Sequence, residues 1–133
     1  MPPFQKFTSK AREVIRKAHE LAIERGQNHV NPSHLLAALL LQEESTTISI
    51  IDKLEVDSLM LTDYIMELME TTEGGSVSSP SYQIYLTPEL VRIFDVAAKM
   101  ATQFDDEFVS TEHLLLALLE VASDARDILN RFR

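Results

Sequence analysis

The chain has no cysteine, so disulfides and thiolate metal centres are excluded. A chain without crosslinks fits the reducing cytosol, and a cytoplasmic protein is expected. Glycine is nearly absent too. Only Gly26, Gly74 and Gly75 occur, and none is followed by the Gly-Lys-Ser/Thr of a phosphate loop. No ATPase chemistry, and no enzyme activity of any kind, is expected from these residues. Long apolar runs are missing. The longest, at 35–41, is far short of the roughly 20 residues of a membrane span. The start, Met1-Pro2-Pro3-Phe4, shows no basic cluster ahead of an apolar stretch and so no signal peptide. Cations are scarce: 12 Lys and Arg face 21 Asp and Glu, a formal charge of −9. Such a field repels polyphosphates and argues against nucleic acid as a partner. Its ordinary use is solubility. Its functional use is a preference for basic peptides or cationic surfaces.

What is present is a hydrophobic fraction of 45% in 133 residues, enough for a single-domain core. The apolar residues fall in a pattern that occurs twice. Thr8 laid over Thr87, a shift of 79 positions (87 − 8), carries an ungapped match from Phe7 to Leu40. Ala18 meets Ala97, Ala22 meets Ala101, Val30 meets Val109, His34 meets His113 and Ala38 meets Ala117. Small residues meet small ones and branched meet branched, as in a duplicated packing unit.

Each copy begins with a helix capped by threonine. Thr8 precedes Ala11, Val14, Ile15, Ala18, Leu21 and Ala22 at helical spacing, and Gly26 ends the run. Thr87 caps the second, with Pro88 at its first position. A shorter helix follows in each copy, opened by Asn31-Pro32 and by Ser110, with Glu112 in the first turn of the latter. Both are apolar nearly all round and are expected at the centre of the domain. Further helices are expected over 46–54, after an Asp57 cap, and over 123–132. No counterpart of the Asp57 helix follows in copy two. The domain plan is therefore a first repeat at 1–72, a Gly/Ser-rich linker at 73–85 and a second repeat at 86–133, lacking its last helix.

The doubled pattern Phe/Leu-Thr-x₉-Ala-x₃-Ala, then Val-x₃-His-Leu-Leu-x-Ala-Leu-Leu, resembles the amino-terminal repeat domain of Clp/Hsp100 unfoldases. The resemblance covers about residues 4 to 132. It is nearest to the ClpB disaggregase type, through Asn31-Pro32-Ser33-His34 and Val109-Ser110-Thr111-Glu112-His113, with the ClpC and ClpA types next. It implies an all-α fold of two pseudo-twofold helical repeats, about four helices and then three to four. It also implies a domain that captures unfolded or aggregated protein for an AAA+ ring in the full-length chain or in trans. The alternative it implies is a binding domain for an adaptor protein, as in the protease-partnered types. An isolated domain of this kind is expected to be monomeric, with no cofactor and no membrane partner.

Some ClpC-type domains read phosphorylated arginine through a Thr-Glu pair at the start of the second helix of each repeat. Copy two keeps Thr111-Glu112, while copy one has Pro32-Ser33 and lacks the carboxylate. In ClpB-type domains the glutamate matching Glu112 and the leucine matching Leu90 border a substrate groove. The candidate site is therefore Leu90, Thr111 and Glu112, read as one side of a shallow, partly apolar surface. On that reading, Leu90→Ala weakens binding without unfolding the domain. The remaining polar residues have plainer readings. His34 and His113 sit at equivalent positions and are read as structural hydrogen-bonding groups. Asp105-Asp106-Glu107 reads as a solvated loop. Met60, Met66, Met69 and Met100 could line an adaptable groove, but core packing is the simpler reading for most of them.

Overall fold

The computed structural model describes residues 4–43, 46–71 and 85–132. A 3-10 turn at Phe4–Lys6 leads into α1 (Ser9–Glu24), β1 (His29–Val30), α2 (Pro32–Leu41), α3 (Thr46–Lys53) and α4 (Ser58–Thr71). Then come β2 (Tyr85–Leu86), α5 (Pro88–Gln103), α6 (Thr111–Glu120) and α7 (Asp124–Arg131). The expected linker lies outside the described residues except for Tyr85, which belongs to β2. Among the described residues no helix is long and apolar enough to cross a membrane.

The caps follow the sequence. Thr8 Oγ1 accepts from Ala11 N at 3.1 Å, and Thr87 Oγ1 from Leu90 N at 3.3 Å. Asp57 Oδ1 accepts from the Leu59 and Met60 amides at the head of α4. Gly26, at φ +68°, ends α1, with the Gln27 amide bonding back to Ala22 O at 3.0 Å. This is a left-handed cap that satisfies an orphan carbonyl. The same cap recurs after α5 with Asp105 at φ +58°, where Asp106 N meets Ala101 O at 2.8 Å.

Helix α2 buries Pro32 through Leu40 and, with α6, forms the centre of the molecule. The two copies interlock around this pair. Helix α1 packs on α2 and α5 on α6, while α3 and α7 each lie against both α2 and α6. Between the copies Arg131 Nη1 donates to Tyr64 Oη of α4 at 2.8 Å, and the Phe132 ring meets the Tyr64 ring edge-on at 5.3 Å.

The strands are a feature the sequence did not disclose. β1 and β2 pair in parallel, His29 with Tyr85 and Val30 with Leu86. An isolated parallel bridge joins Phe7 to Val109. Two residues are too few for alternation to register. These links do fix which helix starts are neighbours: the start of α5 lies beside that of α2, and the start of α1 beside that of α6.

Candidate functional site

The starts of α2 and α6 share one device. His34 Nδ1 accepts from the Asn31 amide at 3.0 Å, and His113 Nδ1 accepts from the Ser110 amide at 2.9 Å. Histidine thus fills the place that Glu or Gln takes in a capping box, reaching back to the cap amide. That is the structural role expected of both rings. The two then diverge. His113 Nε2 lies 2.9 Å from Asp106 Oδ2, and the ring stacks on Phe104 with centroids 6.2 Å apart. Among the described residues no carboxylate bonds to His34, and Gln27 stands where copy two has Asp106. Burial, together with the charge of Arg25, pushes the His34 pKa down to about 4.

Glu112 is exposed on the first turn of α6 and accepts from Thr46 Oγ1, at the start of α3, at 3.2 Å. Thr111 beside it is buried, 6% exposed. Leu90 is fully buried near the start of α5. The expectation that Leu90 and Glu112 flank one surface does not hold in this geometry. Phe104, stacked on His113, lies fourteen residues (104 − 90) beyond Leu90 along α5 and its cap. At 1.5 Å per residue that separates Leu90 from the Glu112 end of α6 by roughly 20 Å. The parallel bridges pair helix starts across the copies, α5 with α2 and α1 with α6, and not α5 with α6.

Leu90 instead forms part of the floor of a groove between α1 and α5, with a volume of about 460 Å³. Phe94, Ala18 and Val30 continue the floor, and Phe4, Ile15 and Leu86 shape the walls. The Phe4, Phe7 and Phe94 rings meet edge-on, with centroids 5.3–6.1 Å apart, and hold the 3-10 turn at one end. Arg12, Arg16 and His19 stand at the rim. Ile15, one of the apolar residues at helical spacing on α1, is half-buried at the edge of the buried arc. The sequence signal for this groove was the place where the two stripes end, not the stripes themselves.

A second surface carries Phe104, 60% exposed, and Phe108, 45% exposed, around Asp105, Asp106 and Glu107. The acidic run is solvated as expected, apart from the Asp106–His113 contact. The methionines divide: Met69 is buried, Met66 and Met100 are half-buried, and Met60 projects from the head of α4. Among the described residues, no three His, Asp or Glu side chains converge as metal ligands.

A family described as the Clp repeat (R) N-terminal domain matches residues 6–132. The chaperone protein ClpB of Propionibacterium freudenreichii subsp. shermanii is 34% identical over 128 residues, covering 94% of this chain and 14% of the relative. ClpB of Rhodopseudomonas palustris is 34% identical over 131 residues, covering 96% and 14% respectively. The chain thus spans about a seventh of the length of these relatives. The Hsp104 N-terminal domain from Candida albicans superimposes with a TM-score of 0.83 at 23% identity, covering 95% of this chain and 81% of that one. A ClpV N-domain solved in complex with a VipB peptide gives 0.75 at 16% identity, covering 98% and 81%. The doubled helical repeat, its histidine-capped central pair and a match over nearly every residue place this chain in the Clp repeat N-terminal domain family.

Proposed function

We propose that this chain is the client-binding module of an ATP-driven Clp/Hsp100 chaperone, non-catalytic itself, capturing unfolded or aggregated polypeptide for an AAA+ ring in the same longer chain or in trans. The observation that carries this reading is the α1–α5 groove. It is concave and lined mainly by apolar and aromatic side chains, a suitable receptor for an apolar segment that a folded protein would hide. Burial at about 25 cal/mol per Å² supplies affinity without sequence selectivity. The polar rim, with Arg12, Arg16 and His19, leaves the segment's backbone solvated. A peptide bound to a ClpV domain of this fold is consistent with a peptide ligand here. Glu112 is a second, polar contact, orienting basic side chains at the other end of the molecule, on a helix start that Ser110 and His113 cap and beside the buried Thr111. At an exposed site this contributes little and is screened by salt.

Calorimetric titration with a permanently unfolded model protein tests the reading. Binding is expected at or below about millimolar, some −4 kcal/mol. Ile15→Gln is expected to weaken it about fivefold or more while shifting the melting temperature by only a few degrees. Leu90→Ala is not a clean probe. Truncating a fully buried leucine costs about 2–5 kcal/mol of stability. Absence of heat up to about 1 mM would refute client capture. A single stoichiometric folded partner in a pull-down, with no binding of unfolded chains, would establish adaptor docking in its place.

A further inference from the structure

The two copies preserve each other's buried positions, and where both α1 and α5 carry a charge at equivalent positions its sign is inverted. On α1, Lys10, Glu13, Arg16 and Glu20 run plus, minus, plus, minus. The positions 79 later on α5 are Glu89, Arg92, Asp95 and Lys99, which run minus, plus, minus, plus. Each of the four pairs is of opposite sign. At 100° per residue, each set falls within about 120° of one helix face. All eight side chains are exposed except Asp95, which is half-buried. The core positions between them do not invert: Val14 matches Ile93, Ala18 matches Ala97 and Ala22 matches Ala101. Arg12, Lys17 and Glu24 meet uncharged residues in α5, but at the four positions charged in both helices the sign is always opposite, which neither folding nor solubility calls for. Alternating charge could also serve ion pairs along each helix. Among the described residues, however, Arg16 closes no ion pair with Glu20, nor Asp95 with Lys99.

Both faces border open clefts. The α1 face meets the end of α2 at Leu41 and Gln42 in a cleft of about 580 Å³. The α5 face meets the end of α6 at Glu120 and Val121 in a cleft of about 700 Å³. Lys10, Glu13, Arg16 and Glu20 all line the first cleft, and Glu89, Arg92 and Lys99 line the second, with Asp95 just outside it.

We propose that copies of this chain associate with one another through these faces, the α1 face of one copy against the α5 face of the next. We take the contact to use one face of each copy at a time, which makes it heterologous: a free face remains on each copy, and the contact extends into a ring or a chain where two faces paired about a twofold axis would close as a dimer. It is also weak. Exposed ion pairs contribute little each, and a charge of −9 on every copy opposes approach. Dilute protein is therefore monomeric, and association takes hold at about 0.1–1 mM. Tethering several copies to one assembly supplies such a local concentration.

Sedimentation equilibrium up to about 1 mM at roughly 0.1 M ionic strength tests the proposal. The wild type is expected to pass beyond the mass of a dimer as concentration rises. Two paired reversals leave the net charge unchanged: Arg16→Glu with Glu20→Arg on α1, and Asp95→Lys with Lys99→Asp on α5. Each alone is expected to weaken association about tenfold or more. An equimolar mixture of the two variants restores it, because each reversed face then meets a reversed partner and each native face a native one. Circular dichroism checks that both variants are folded. A wild type that stays monomeric to about 1 mM, or closes as a dimer, overturns the proposal, as do reversals that associate unchanged or a mixture that fails to recover.

Discussion

At the scale of single residues, the sharpest consequences come from His34 and Asp105. The folded pKa of His34, about 4, lies below its ordinary value of 6.5. Between those two pH values the unfolded chain binds a proton that the folded chain refuses. The contribution of the neutral ring is therefore complete above pH 6.5 and is lost as pH falls toward 4; in full it amounts to roughly 3 kcal/mol. His34→Gln keeps an acceptor for the Asn31 amide and removes the titration. Its melting temperature is expected to fall less than that of the wild type between pH 7 and 4.5. Equal falls would show that other groups carry the acid limb. Asp105 holds a left-handed conformation at φ +58° that glycine holds at Gly26. Asp105→Gly is expected to raise stability by about 0.5–1 kcal/mol in urea unfolding, because the strain of a Cβ at positive φ outweighs the added freedom of the unfolded chain. The caps, the paired histidines and the glycine stop were legible in the sequence because each depends on a few neighbouring residues. The burial of Leu90 and Thr111 was not, because it depends on which helix lies overhead.

At the scale of elements, helices were readable and their partners were not. The lengths of α1, α2, α5 and α6 follow from caps and apolar spacing. The strands were missed because two-residue strands carry no period. The difference between the twin central helices also depends on tertiary cover. Ala37 of α2 is fully buried, in a helix overlaid by α4. Its equivalent on α6, Leu116 (37 + 79), is 37% exposed. Sequence comparison sees only a small residue exchanged for a large one. The packing explains it: a leucine would collide at one position and has room at the other. Ala37→Leu is expected to cost about 1–3 kcal/mol by overpacking. Leu116→Ala is expected to cost less than about 1 kcal/mol, since little buried surface is lost. Chemical denaturation of the two variants compares them directly, and equal costs would mean that α6 is as tightly covered as α2.

For the molecule as a whole, the groove and the complementary faces share one origin. Duplication supplied two of every surface, and divergence gave the members of each pair different chemistry. The sharing of outer helices has a further consequence. Because α3 and α7 each pack on the central helices of both copies, the two halves share one hydrophobic centre. The polypeptide boundary between the repeats is therefore not a boundary in the packing. Fragments 1–72 and 85–133, made separately, are each expected to lack a cooperative melting transition, and to regain helical content and one sharp transition when mixed. Independent melting of either half would contradict this. If the expectation holds, a single protease cut between the repeats would leave the domain in place as two interlocked pieces, held together by the surfaces that folded them.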